Sequence, residues 1–526
     1  MATAVGTWKQ RYRLYRKDLE NNSYVKQMFV EDAERDESRF YRRSSIMDDE
    51  KSSTGMSSDA EVDSQQDEKP KIPHRIPHRP KNIARIKRNA IQKLIITTKS
   101  AISALLSFPI LFFFVTMAVY TTGKQHLLDK RKRAQDADEL DIPDEMLTQD
   151  ETYYADRWGY TSEMHEVVTQ DGYILKMYRI FKKDSVPKGK PVLIGHGLFQ
   201  CSGAFVLNEQ RSLAFTLIEN GYDVWVGNNR SIAGLDHISL SFKDPEYWNW
   251  GLKELGVYDF AAMLNHVKLY STSSSSKIAY IGHSQGNAQA FIALSLCPEI
   301  AENLSCFVAL APAVFSGNLV NTFPLNCLIN LSDWCYNLVF GCGSFLPVMS
   351  LAQTIVEPKL FCFLAYSMFS YLFSWWDSHW LRRRKAKYFQ FTPRPVSSRL
   401  IADWIAGWGR KGVCLYIADQ NTVMNTEIKQ KVPLVIFYGT ADFLVNGERF
   451  VRTFPGYETH GLSPEQLAKE SSTAATDRQK TLFPMLDLVH VERVDGYEHM
   501  DTIWGHDNHK TTYPIVLKNL ENARWD

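Results

Sequence analysis

The chain has 526 residues, 44% of them hydrophobic, which is enough for one large globular domain with appendages. Lys and Arg number 60 against 59 acidic residues, so a net charge of +1 gives no bulk electrostatic basis for binding nucleic acid. The cysteines include no C-x-x-C pair, which argues against a zinc site. Cys327, Cys335 and Cys342 share one apolar region, where a disulfide or buried free thiols would both fit.

Residues 1–100 read as a polar, basic tail. Residues 44–71 are rich in Ser, Asp, Glu and Lys without apolar periodicity. Such a stretch cannot bury enough surface to offset its ordering entropy and is expected to be disordered. Ser44 and Ser45 follow Arg42-Arg43, a pattern that suits a kinase site and equally a stray basic cluster. Residues 101–120, AISALLSFPILFFFVTMAVY, carry no charge. Twenty helical residues span about 30 Å, the hydrocarbon thickness of a bilayer, so a membrane-embedded segment is expected. It lies too far along the chain for a cleaved signal peptide. Basic residues flank both ends, so the positive-inside rule does not orient it, and a monotopic hairpin turning at Pro109 is open. Residues 121–150 form a charged linker.

From about residue 151 to 526 the pattern is that of an α/β domain. Asp171-Gly172 between β-rich runs signals a hairpin. Apolar strands are expected at 191–194, 222–227, 278–281, 306–310, 432–438 and 486–494, with helices at 252–270, after residue 284 and at 512–520. That alternation predicts a mostly parallel sheet covered by helices on both faces. The rhythm breaks between 315 and 431, so a cap subdomain is expected at about 315–400. Its aromatic runs at 334–356 and 360–376 are apolar enough to suggest membrane spans. The sheet resumes afterwards, however, so they are read as a cap.

The apolar run Ile278-Ala279-Tyr280-Ile281 leads into Gly282-His283-Ser284-Gln285-Gly286 and then into helix formers. Strand, sharp turn and helix is the context of the G-x-S-x-G nucleophile elbow, which makes Ser284 the candidate nucleophile. A serine hydroxyl needs an adjacent base, and the base needs an acid to fix its tautomer. His499 follows the last strand on a loop and is the candidate base, with His506 the runner-up and His283 read as packing. Asp442 follows the strand at 432–438 and is the candidate acid, ahead of Asp419, Asp487 and Asp495. The tetrahedral intermediate needs two aimed N–H groups, expected from Gln285 and from Leu198 in the loop after the strand at 191–194.

Asp171-Gly172-Tyr173-Ile174-Leu175, His196-Gly197-Leu198, the WVGNNR run ending at Arg230, the GHSQG elbow and Leu310-Ala311-Pro312-Ala313 together resemble the acid lipases. That family includes gastric and lysosomal lipases and the membrane-anchored sterol ester hydrolases of yeasts. The resemblance covers roughly residues 155–525. The tail, the apolar segment and Val445-Asn446-Gly447-Glu448-Arg449 are most similar to the yeast enzymes. It implies an α/β-hydrolase fold, a triad of Ser284, Asp442 and His499, oxyanion donors at Leu198 and Gln285, and no metal or organic cofactor. The implied substrate is a sterol ester, with triacylglycerol second, at an endoplasmic reticulum, lipid-droplet or plasma membrane surface. An acyltransferase with the same triad and a non-catalytic lipid-binding tether are the rivals. Secreted relatives begin with a signal peptide, and its replacement here by a tail and an internal apolar segment speaks against a lysosomal or digestive role. In the cap, about half the aromatics between Phe345 and Trp376 are expected to face lipid, Phe369 and Phe373 among them. The basic run at 382–387 is expected to meet phospholipid head groups.

Overall fold

Runs of Val, Ile, Leu and aromatic residues build one eight-stranded sheet: β1 (Tyr160–Val168), β2 (Ile174–Lys182), β3 (Pro191–Gly195), β4 (Asp223–Gly227), β5 (Ile278–His283), β6 (Leu304–Leu310), β7 (Val432–Gly439) and β8 (Leu486–Val494). This computed structural model describes residues 89–128, 145–232, 237–242, 244–340, 343–346, 348–408, 412–414, 430–464 and 482–526. The tail through residue 88, with Ser44 and Ser45, lies outside the described residues, as do Cys342 and Asp419. Cys327 and Cys335 are free thiols.

The strand order is β1-β2-β4-β3-β5-β6-β7-β8. β1 pairs antiparallel with β2, and β2 with β4, while all later pairings are parallel. Every residue of β3 to β7 is buried, because helices cover both faces and leave no face for polar alternation. β8 closes one edge and is only partly covered. The expected helix at 252–270 forms as Leu252–Glu254, a wider-wound stretch Leu255–Phe260 and α2 (Ala261–Tyr270). It is buried on most of its circumference rather than along one stripe. Its Gly256 backs onto α3 (Gln285–Leu296), where a Cβ would lie 2.7 Å from the Gln289 carbonyl oxygen.

The hairpin and the WVGNNR run meet in one buried network. The Arg230 guanidinium binds Asp259 at 2.8 Å and Asp171 at 2.6 Å, and lies 3.9 Å over the Tyr173 ring. Arg230→Ala would leave Asp259 buried without its counter-charge, so a loss of about 3–5 kcal/mol is expected in denaturant unfolding.

The apolar segment is longer than the sequence suggests. α1 (Ala90–Leu128) runs unbroken through Pro109, so no hairpin turns there. Among the described residues it is the one helix long and apolar enough to cross a bilayer. It packs along the cap, with Ser103 Oγ donating to the Val339 carbonyl at 2.6 Å and Thr122 Oγ1 to the Ser367 carbonyl at 3.4 Å. The end of the expected linker is folded too: Glu145 is buried in the domain, and Asp150 caps the helix Glu151–Arg157.

The cap lies between β6 and β7 and contains α4 (Asp333–Phe340), α5 (Val348–Ile355), α6 (Pro358–Phe373) and α7 (Ser398–Trp408). Phe361, Ala365, Phe369 and Phe373 recur every fourth residue on α6 and turn its stripe inward. Phe369 and Phe373 are therefore buried, and the lipid-facing role expected of them does not hold. The large apolar side chains exposed on the cap instead include Phe323, Trp334, Leu351, Ile355, Leu360 and Phe363. The basic run is likewise turned inward. Arg384 is fully buried and ion-paired to Glu145; Lys387 reaches the same carboxylate at 2.7 Å. Arg383 binds Glu209 at 2.7 Å and Lys385 binds Asp377 at 2.5 Å. Arg383, Arg384 and Lys387 bind the cap to the rest of the domain while Lys385 pairs within the cap, because a buried carboxylate demands a partner more strongly than an exposed head group does.

Candidate active site

Ser284 sits between β5 and α3 with φ 52° and ψ −112°, the strained conformation of a sharp strand-to-helix turn. The neighbouring glycines make that turn possible. A Cβ at Gly282 would lie 2.3 Å from Asn287 Oδ1, and one at Gly286 would lie 2.5 Å from the Gly195 carbonyl oxygen. The turn is tied down by Ser284 N–H donating to the Leu310 carbonyl at 3.1 Å and Asn287 Nδ2 donating to the same oxygen at 2.7 Å.

The ends of β7 and β8 bring two further groups to the hydroxyl. His499 Nε2 lies 2.8 Å from Ser284 Oγ, and His499 Nδ1 lies 2.9 Å from Asp442 Oδ2. The other Asp442 oxygen accepts from the backbone N–H groups of Leu444 at 2.9 Å and Val445 at 3.1 Å. All three side chains are nearly inaccessible to water. The runners-up lie elsewhere: His506 Nδ1 contacts the His379 carbonyl at 2.7 Å, Asp487 pairs with Arg524 and Asp495 with Arg493 at the surface. β3 runs beside β5 with Gly195 opposite Gly282, so the Gly197-Leu198 loop emerges next to Ser284. Leu198 lines the space over the hydroxyl, and Gln285 is the first residue of α3.

Several residues that support this geometry carry no local signal. Gln200 Oε1 accepts from Gly197 N–H at 2.9 Å and lies 3.1 Å from His283 Nδ1. His283 Nε2 in turn contacts the His499 carbonyl at 3.1 Å, so the ring read as packing braces the backbone of the base. Burial pushes the His283 imidazole down to about 3 and His196 down to about 4, which keeps both rings neutral. Trp404 Nε1 donates to Gln285 Oε1 at 3.0 Å, and Trp375 stacks on His499 with centroids 6.4 Å apart. The remaining space over Ser284 is only about 30 Å³, walled by Phe369, Phe373, Trp404 and Trp408.

Three carboxyls near this region give stability a pH dependence. Burial raises Asp501 to about 8, Asp403 to about 7 and Glu151 to about 7. A carboxyl raised on folding contributes stability that is complete below its unfolded value and is lost as pH climbs through the folded one. Histidines with depressed values add an opposing slope near pH 6.5, where the unfolded imidazole is half protonated, and this fades by about pH 7.5. Thermal unfolding in detergent should therefore show stability falling from about pH 7.5 to 8, at about 1 kcal/mol per pH unit from Asp501 alone. Asp501→Asn should flatten that slope.

The partial α/β-hydrolase lipase region matches residues 152–209. Sterol esterase 2 of Saccharomyces cerevisiae is 29% identical over 72% of this chain and 74% of its own length. A probable lipase of Schizosaccharomyces pombe is 30% identical over 69% of this chain and 75% of its own. Gastric triacylglycerol lipase of Mus musculus is 29% identical over 68% of this chain and 88% of its own. With a mostly parallel sheet, a serine at its central elbow and this similarity along the domain, the chain belongs to the lipase family of α/β-hydrolases and is an ester hydrolase.

Proposed function

We propose that this protein is a membrane-bound serine lipase that hydrolyses sterol esters through an acyl-enzyme on Ser284. The observation that carries the mechanism is the hydrogen-bonded chain from Ser284 Oγ through His499 to Asp442. Ser284 Oγ attacks the ester carbonyl carbon while its proton passes to His499 Nε2. The Leu198 and Gln285 N–H groups face the developing oxyanion. The carbon–oxygen ester bond breaks, and the alcohol leaves with the proton from His499. Water then attacks the acyl carbon and gives a proton to the same nitrogen; the acyl–Oγ bond breaks, Ser284 Oγ takes that proton back and the fatty acid leaves.

The aromatic walls of the site suit a long apolar substrate. So does the outer face, where exposed side chains of the cap join those of α1. Leu105, Phe108 and Phe112 of α1 are more than half exposed, as are Trp334, Leu351 and Ile355 of the cap. Large apolar patches of this kind mark lipid surfaces, and a bilayer or a lipid droplet would cover this one. Residues 1–100 would be its polar tail, 101–120 its membrane contact, 121–150 a connector and 151–526 the lipase domain. The sterol esterase of yeast and the gastric lipase of mouse point to sterol ester and triacylglycerol respectively. The deciding experiment is to assay the purified full chain against sterol oleate and triolein side by side, with fluorophosphonate labelling of the same preparation. Faster release of oleate from the sterol ester is expected. Preference for triolein would make it a triacylglycerol lipase, and absence of both turnover and labelling would leave only a lipid-binding tether.

A further inference from the structure

Next to the small space over Ser284 lies a second cavity of about 440 Å³ with almost wholly apolar walls. The two share Leu198, Phe199, Phe369, Phe373 and Trp408, which form the partition between them. Cap helices make most of the remaining wall, and α1 supplies another side through Ser107, Ile110, Leu111, Phe114 and Val115. Those positions follow the i, i+3, i+4, i+7, i+8 spacing of one helix face. Leu105, Phe108 and Phe112 lie on other faces and are exposed. A helix that served only as an anchor would need no such division, because lipid is equally apolar all round it. Ser103 and Thr122 dock the helix on the cap at either end of the stripe. The cavity is partly open and of the size that takes one small apolar ligand.

We propose that α1 is a wall of the substrate site. The cavity between α1 and the cap takes the distal part of the ester's fatty acyl chain while the carbonyl sits at Ser284. Phe369 and Phe373 move aside to join the two spaces. An acyl chain drawn from the lipid phase then reaches the nucleophile without crossing water. This assignment rests on Ser284 being the nucleophile.

The test uses the full chain in phosphatidylcholine vesicles and a fluorophosphonate with a sixteen-carbon chain bearing a diazirine at its far end. Ser284 Oγ bonds to phosphorus, fluoride leaves, and the serine proton passes to His499. Irradiation should cross-link the chain terminus to the α1 peptide containing residues 107–115. A four-carbon version should not reach it, and the Ser284→Ala protein sets the background from free probe in the membrane. Cross-links confined to the cap, with α1 at background, would overturn the proposal. Failure to phosphonylate Ser284 at all would instead remove the nucleophile assignment, and this one with it. As an independent measurement, Leu111→Trp and Val115→Trp should lower kcat/KM for nitrophenyl palmitate about tenfold or more while nitrophenyl butyrate stays within about twofold. Leu127→Trp, exposed near the end of α1 and outside both spaces, should change neither. Unchanged palmitate turnover, or equal losses on both esters, would show that α1 does not contact the acyl chain.

Discussion

Replacing Ser284 by Ala is expected to lower kcat on a long-chain ester by roughly four to six orders of magnitude, with the protein still folded. The size follows from the mechanism. Without Oγ there is no acyl-enzyme, and water must attack the ester directly. The proposed oxyanion donors, the N–H groups of Leu198 and Gln285, and the apolar walls would still bind the substrate, and that residual preorganisation would account for what activity remains. The fold should tolerate the change. Ser284 keeps its place through its backbone N–H to the Leu310 carbonyl, which alanine retains. The positive φ is already tolerated there with a Cβ present. The measurement is kcat on sterol oleate together with fluorophosphonate labelling, and wild-type turnover by the variant would end the mechanism.

Asp442→Asn should cost about 10⁴ in kcat, because the surroundings of this carboxylate dictate how an amide would sit. Asp442 Oδ1 accepts from two backbone N–H groups, Leu444 and Val445. An asparagine must put its oxygen there, since an NH₂ would face two donors. Its NH₂ then occupies the Oδ2 position and points at His499 Nδ1. The ring nitrogen facing it must become an acceptor, so the imidazole proton moves to Nε2, the atom that should receive the proton of Ser284. Shape and packing are unchanged, so stability should move little while turnover collapses. Asp495→Asn is the matched control. Asp495 is 83% exposed and pairs loosely with Arg493 at 3.5 Å, so its loss should alter kcat less than about twofold. A reversal of the two effects would move the acid to Asp495. The parallel comparison of His499→Ala with His506→Ala should separate in the same direction.

The elements that could be read from the residues are those governed by short-range rules. A four-residue apolar run ending in Gly-x-Ser-x-Gly and followed by helix formers can do little except turn sharply from strand to helix. β5, Ser284 and α3 were legible for that reason. Asp442 and His499 were legible because each follows an apolar strand, and in a parallel sheet the loops after the strands gather at one edge. What no local pattern carried was the destination of side chains whose partners lie far along the chain. Arg384 looked like a head-group ligand until its partner proved to be Glu145, 239 residues away and inside what read as a linker. Phe369 and Phe373 belong to an aromatic run that is apolar on nearly every face, so composition could not tell which side of α6 turns inward. The position of α1 was equally hidden. Hydropathy records that its residues avoid water, and lipid and a protein cavity satisfy that demand equally well. The sequence by itself determined the succession of strands along the chain, the elbow and the presence of a cap, because backbone geometry and periodicity act over a few residues. Only the tertiary structure decided which cap residues face outward, where the basic run finds its carboxylates and what α1 leans on, because those depend on long-range packing in which each surface is buried by the other.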